Sequence, residues 1–143
     1  MKIADIMTRR LVTVCFDETL ETIREIFNRA GFHHLLVVED RKLQGVVSDR
    51  DVWRALSPFI DSVVETQRDV GTLSRRVHQI MSRKPITLTP DHDVADAVQI
   101  FLTHPISCIP VVDGAFSPVG IVSWRDILKT WPPQSPGQSS PAE

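Results

Sequence analysis

The sequence predicts an α/β (α+β) chain built as a tandem duplication, each copy a β-α-β-β-α unit. Three observations carry this. The string GVVSDRD at 45–51 returns as GIVSWRD at 120–126. The first half of the chain matches the second at a fixed offset, Ile6 falling on Ile80 and Val112 on Val38. Within each copy, short apolar runs alternate with longer stripes of helical period. At 143 residues, 42% hydrophobic and 24% charged, the chain can bury one compact core or two half-cores packed together.

The match runs through both copies. Ile6-Met7-Thr8 meets Ile80-Met81-Ser82, and Val12-Thr13-Val14 meets Ile86-Thr87-Leu88. Asp17 meets Asp91, Leu20 meets Val94, Phe27 meets Phe101, and Val37-Val38 meets Val111-Val112. One residue is then added within DGAFSPV, whose Gly and Pro suit a hairpin connection, where an insertion costs little. The units therefore span 1–57 and 76–131, with a connector at 58–75 and a tail at 132–143.

In each unit a short extended piece, Leu11–Val14 or Ile86–Leu88, leads to a helix start. Thr19 and Asp93 align as N-caps able to accept from first-turn N–H groups. Behind Thr19, Leu20, Ile23, Ile26, Phe27 and Ala30 form one apolar stripe, ended by Gly31. Behind Asp93 the stripe is Val94, Ala97, Ile100 and Phe101, stopped by Pro105. Two apolar strands follow, Leu35–Val38 with Val46–Val47 and Ile109–Val112 with Ile121–Val122, as expected of strands covered on both faces. A second helix leaves each corner, at Val52–Leu56 and Ile127–Trp131. The connector is polar, contains Gly71 and should hold a helical turn or two. PPQSPGQSSPAE, rich in Pro, Ser and Gln, should be disordered.

The repeated corner admits two readings. Ser48 with Asp51, like Ser123 with Asp126, forms a capping box in which the hydroxyl accepts from the N3 amide and the carboxylate from the N-cap amide. This needs no ligand. The same corner can also face a ligand: the hydroxyl can reach a phosphate, the carboxylate suits a ribose diol, and Arg50 and Arg125 supply guanidinium forks for phosphate oxygens. Gly45 and Gly120 allow either a turn into the strand or close approach of another chain segment. Both copies keep Gly, Ser, Arg and Asp in the same order, which favours the ligand.

Taken together, Ile-Met-Thr/Ser, the apolar-Thr-apolar triplet, Val-Val and the G-h-[VI]-S-x-R-D corner resemble a tandem pair of CBS domains, of the stand-alone bacterial type. The resemblance covers residues 1–131. It implies a pseudo-twofold pair whose sheets pack together and leave two clefts for AMP, ADP, ATP or S-adenosylmethionine. On that resemblance Asp51 and Asp126 hold ribose hydroxyls, Ser48 and Ser123 approach phosphate, and Val12-Thr13 and Ile86-Thr87 line the adenine pockets. Ile109-Pro110-Val111-Val112 has the family form. Leu36 stands where the first copy would carry the equivalent of Pro110, and Trp124 stands where the first copy has Asp49, so the two sites are not expected to be equal.

Other chemistry finds less support. The net charge of −2 gives no basic excess for nucleic acid. No apolar run reaches membrane-spanning length, and MKIADIMTRR lacks the apolar segment of a secretory signal. Cys15 and Cys108 are too few for a disulfide framework, and are expected as two half-buried thiols in a reducing cytoplasm. His33 and His34, adjacent on entering a strand, would point apart rather than chelate one ion. Asp49 and Asp51 offer no nucleophile–base pairing. Arg75-Arg76 and Arg83-Lys84 read as a solvated basic face, although the second pair could help hold a polyphosphate.

The sequence thus points to a non-catalytic sensing module. It would bind an adenosine-containing regulatory ligand, use no catalytic cofactor or metal, form a homodimer and signal to an unidentified effector protein. The alternatives are a scaffold with empty or self-filled clefts and a nucleotide-processing enzyme.

Overall fold

The computed structural model describes residues 1–132. In chain order the elements are α1 (Ile3–Ile6), β1 (Thr13–Val14), α2 (Leu20–Ala30), β2 (His34–Glu39), β3 (Lys42–Ser48), α3 (Asp49–Ala55), α4 (Gln67–Gly71), β4 (Ser82–Arg83), α5 (Val94–Thr103), β5 (Cys108–Val112), β6 (Pro118–Ser123) and α6 (Trp124–Leu128). The expected mixture of strands and helices is present in both copies. The connector carries α4 and a 3-10 turn, Thr72–Ser74. The tail expected to be disordered falls, apart from Pro132, outside the described residues.

Strands β1-β2-β3-β4 form one sheet, and β5-β6 form the other. Each sheet is built on an antiparallel hairpin, with a register shift at Val37/Val38 and at the equivalent Val111/Val112. The second sheet is extended on either side by single pairings, Leu88 beside Val111 and Thr8 beside Ile121. One asymmetry has a clear cause. The Leu36 N–H donates to the Val12 carbonyl at 3.2 Å, and β1 pairs with β2 over two residues. Pro110 has no N–H to repeat that bond, so the matching ladder shrinks to the Leu88 pairing.

Packing does not follow the sequence repeat. Ile3 and Met7, which open the first copy, are buried with Leu88, Ala97, Ile109, Val111 and Val122 of the second. Conversely Val77 and Met81, which open the second copy, are buried with Leu20, Ile23, Leu35 and Val47 of the first. The backbone repeats the exchange: Ile3 N–H donates to His92 O at 2.8 Å, and Val77 N–H to Glu18 O at 2.8 Å. A third cluster, Leu36, Leu43, Val46, Cys108 and Val112, joins the two sheets.

Each helix stripe faces the core: Leu20, Ile23 and Ala97 are at 0% exposure and Phe27 is buried, while Ile26, Val94, Ile100 and Phe101 pack half-buried against it. Thr19 accepts from the Thr22 N–H at 3.3 Å, and Gly31 closes α2 at φ 65°. Asp93 also sits at an N-cap, but its carboxylate turns to Lys2 Nζ at 2.9 Å, while its own N–H donates to Asp96 at 3.0 Å. Lys2, brought there by the exchange, thus pairs with the N-cap carboxylate of a capping box formed by Asp93 and Asp96. The thiols differ from expectation, Cys15 being exposed and Cys108 buried. Position 108 lies between the sheets, where burial, with a smaller push from the Asp51 charge, drives the thiol up to about 12. A water-soluble disulfide reagent at pH 8 should therefore titrate Cys15 promptly and Cys108 only on unfolding; two fast thiols in the folded protein would contradict this burial.

Candidate functional site

Each repeated corner lies where a buried strand gives way to a helix. β3 ends at Ser48 and β6 at Ser123, each extended at φ near −100° and ψ near 160°, as an N-cap requires. Both capping boxes are formed. Ser48 N–H donates to Asp51 Oδ2 at 2.8 Å and Asp51 N–H to Ser48 Oγ at 3.1 Å; the Ser123–Asp126 distances are 2.8 and 3.4 Å. The caps use Oδ2 of each aspartate. Asp51 Oδ1 has no protein hydrogen-bond partner among the described residues, while Asp126 Oδ1 meets only Thr8 Oγ1, at 3.5 Å. Capping thus occupies one carboxylate oxygen of each aspartate and leaves the other outside the box.

The boxes open on two clefts. The larger, of about 680 Å³, is lined by Ser123, Arg125 and Asp126 of the second corner, by Val12 and Leu36, and by Ser48 and Arg50 from the opposite corner. The smaller, of about 240 Å³, is lined by Ser48, Arg50 and Asp51 together with Ile86. Thr13, Thr87 and Pro110 line neither: Pro110 is buried within β5, and Thr13 is exposed on β1. The clefts are unequal in size. Glycine explains how the corners are held. A Cβ on Gly45 would lie 2.7 Å from Met81 Sδ and 2.7 Å from the Ser82 carbonyl; one on Gly120 would lie 2.6 Å from Met7 Sδ. The repeated glycine thus exists for the repeated methionine, each methionine reaching it from the other copy. Of the two uses open to these glycines, it is close approach that the structure employs.

Of the other lining residues, Arg10, Ser107 and Lys129 carried no sequence signal, while His34 and Cys108 align in the repeat. His33, His34, Ser107 and Cys108 stand between the two corners, and Arg10 and Lys129 border the larger cleft. The histidines engage different partners, His33 Nδ1 lying 2.9 Å from Asp49 Oδ2 and His34 Nε2 2.8 Å from Ser107 Oγ. Burial alone would raise the Asp49 carboxyl, but the His33 contact and the Arg50 N–H outweigh it and hold the group below its usual range. Burial pushes the His34 imidazole down, against the raising influence of Asp49. Trp124, half-exposed, lines the larger cleft with the Arg125 guanidinium 5.9 Å from its ring centroid.

Known proteins share this fold. The sequence profile of the CBS domain matches residues 3–57 and again 77–132. The chain belongs to the CBS domain family. A CBS domain-containing protein of Dictyostelium discoideum is 29% identical over 142 residues, which is 93% of this chain and 97% of that one. Two uncharacterized proteins of Methanocaldococcus jannaschii are longer, and the chain spans 44% and 46% of their lengths. Among solved structures, the CBS domain pair of protein MJ0100, in complex with 5-methylthioadenosine and S-adenosyl-L-methionine, superposes with a TM-score of 0.74 at 24% identity, covering 90% of this chain and 94% of that one. The cytosolic domain of the Mg2+ channel MgtE, in complex with ATP, gives 0.71 at 25% identity, covering 90% of this chain and 48% of that one. Paired CBS folds are thus what this chain resembles throughout. Among the described residues no helix is long and apolar enough to cross a membrane.

Proposed function

We propose that this CBS pair is a non-catalytic regulatory module that binds an adenosine-containing ligand in its inter-repeat clefts. AMP, ADP, ATP and S-adenosylmethionine are the candidates. The observation that carries the reading is the second oxygen of each corner aspartate. Asp51 and Asp126 cap their helices through Oδ2 and each lines a cleft, which leaves an Oδ1 outside the cap to accept from a ribose hydroxyl. Ser48, Ser123, Arg50 and Arg125 border the same clefts and are the donors for phosphate, while Val12, Leu36 and Ile86 supply apolar wall. Thr13 and Pro110 stay off the clefts but sit in the strand pairs that carry this wall, opposite Leu36 and Ile121. The bound states of the MJ0100 pair and the MgtE domain support the ligand class.

The ligand regulates by binding two arrangements of the copies with different affinity, and a cytoplasmic effector protein reads the difference. The exchanged leading segments couple the copies, because displacing one copy moves a segment buried in the other. The exposed Trp53 and Leu128, carried on α3 and α6, give a second chain of the same protein an apolar surface to cover in a homodimer.

Calorimetric titration with AMP, ATP and S-adenosylmethionine tests the reading. Asp126→Asn and Asp51→Asn keep an oxygen for the cap and remove the carboxylate. We expect at least a tenfold loss of affinity in the variant whose cleft is occupied, with its thermal midpoint little changed. Binding by neither wild type nor variant sinks the sensor reading; slow conversion of bound ATP would replace it with an enzyme.

A further inference from the structure

We propose that the larger cleft is a polyphosphate site, selecting a nucleoside di- or triphosphate over the monophosphate through Arg10 and Lys129. This rests on the adenosine-ligand reading above and names the ligand within it. Four cations, Arg10, Arg50, Arg125 and Lys129, line that cleft against two carboxylates, Asp49 and Asp126. Asp49 is engaged by His33 at 2.9 Å, and Asp126 is tied through one oxygen to its capping box. None of the four cations has a carboxylate within ion-pairing distance among the described residues, where the pairs are Lys2–Asp93, Arg24–Asp61 and His33–Asp49. A chain of net charge −2 has thus gathered unpaired positive charge in one concavity. Such a concentration focuses the field on an anion.

Two of the three guanidinium groups also sit against aromatic rings. Arg10 lies 5.7 Å from the Phe32 ring centroid and Arg125 5.9 Å from that of Trp124. Stacking on a ring leaves the N–H edge of each fork free for phosphate oxygens. The corner departure contributes as well. Where the first copy carries Asp49, the second carries Trp124, so a carboxylate is replaced by a platform beside Arg125.

The smaller cleft keeps only part of this arrangement, Arg54 standing where the larger one has Lys129. It is lined by Arg50 and Arg54 against Asp51, and Lys84, the counterpart of Arg10, is not part of its wall. Its volume of about 240 Å³ also falls below the range of roughly 300–1,000 Å³ usual for small-molecule sites, whereas about 680 Å³ lies well inside it.

The test is calorimetric titration of the full chain with metal-free AMP, ADP and ATP at two salt concentrations. Wild type should bind ATP at least tenfold more tightly than AMP, with the gap narrowing as salt rises. Arg10→Gln with Lys129→Gln, both surface changes, should collapse the ATP-to-AMP ratio at least fivefold. Arg54→Gln, in the wall of the smaller cleft, should move the ratio less than the Arg10 and Lys129 pair does. Equal affinities for AMP and ATP in wild type, or loss of the ratio in Arg54→Gln alone, overturn the polyphosphate assignment while the sensor reading stands. No binding of AMP, ADP or ATP with saturable binding of S-adenosylmethionine overturns the polyphosphate assignment alone; no binding of any of the four overturns both.

Discussion

Replacing Ile3 by alanine is expected to loosen the second copy rather than the first. Ile3 opens the first repeat in sequence, but its side chain is fully buried among Leu88, Ala97, Ile109, Val111 and Val122. Removing three carbons there leaves a cavity lined by the second copy. Isoleucine-to-alanine changes in cores cost about 2–5 kcal/mol. A small domain holds only about 5–15 kcal/mol in total, so the loss should be large in a urea titration. Hydrogen exchange locates it: amides of β5 and β6 should lose protection before those of β2 and β3. Val77→Ala is the mirror experiment, since Val77 is equally buried with Leu20, Ile23, Leu35 and Val47. Its effect should fall first on β2 and β3. If each substitution instead weakened the copy that contains it in sequence, the exchange of segments would be wrong.

That exchange shows where sequence reasoning stops. The duplication, the helix stripes and the capping boxes were legible because each rests on local spacing. Leu20, Ile23 and Phe27 share a face whatever lies opposite them, and Ser48 can cap only its own helix. A duplicated sequence, however, offers Ile3-Met7 two nearly equivalent destinations, its own copy or the other. Apolar periodicity cannot choose between them. The choice is visible only in cross-copy pairs such as Lys2 with Asp93, at 2.9 Å.

The clefts divide in the same way. Ser48, Asp51, Ser123 and Asp126 sit in a contiguous motif and could be found by reading along the chain. Arg10, Phe32, Ser107 and Lys129 come from segments far apart, and only the fold brings them to one wall. Trp124 was conspicuous as a departure, but a substitution in one copy does not say which way its ring faces. Pro110 matched the family form, and the structure gives it a backbone role: it withholds the N–H that Leu36 uses to bond Val12. A resemblance carries a residue's identity further than it carries its geometry.

Gly45→Ala should be the more damaging of two equivalent changes, with Gly120→Ala the milder. Both glycines admit a methionine from the other copy, yet the surroundings differ in what can yield. At Gly120 every close neighbour belongs to the Met7 side chain, with Sδ at 2.6 Å, Cγ at 3.0 Å and Cβ at 3.3 Å from an added methyl carbon. A thioether has three rotatable bonds and can move. At Gly45 the methyl carbon would also meet the Ser82 carbonyl oxygen at 2.7 Å. That oxygen is backbone in β4, which pairs with β3 through Val46 and Ser82, so relief requires parting the strands. Overpacking costs typically about 1–3 kcal/mol, and Gly45→Ala should lie at the upper end of that range and Gly120→Ala at the lower. A second substitution sharpens the contrast. Met7→Ala should add less than its own cost to Gly120→Ala, because it removes the clash, giving a coupling of about 1 kcal/mol or more. Met81→Ala should couple more weakly to Gly45→Ala, since the Ser82 carbonyl remains in place. Equal costs for the two glycine variants, or equal coupling in the two pairs, would show that side-chain crowding alone sets both positions.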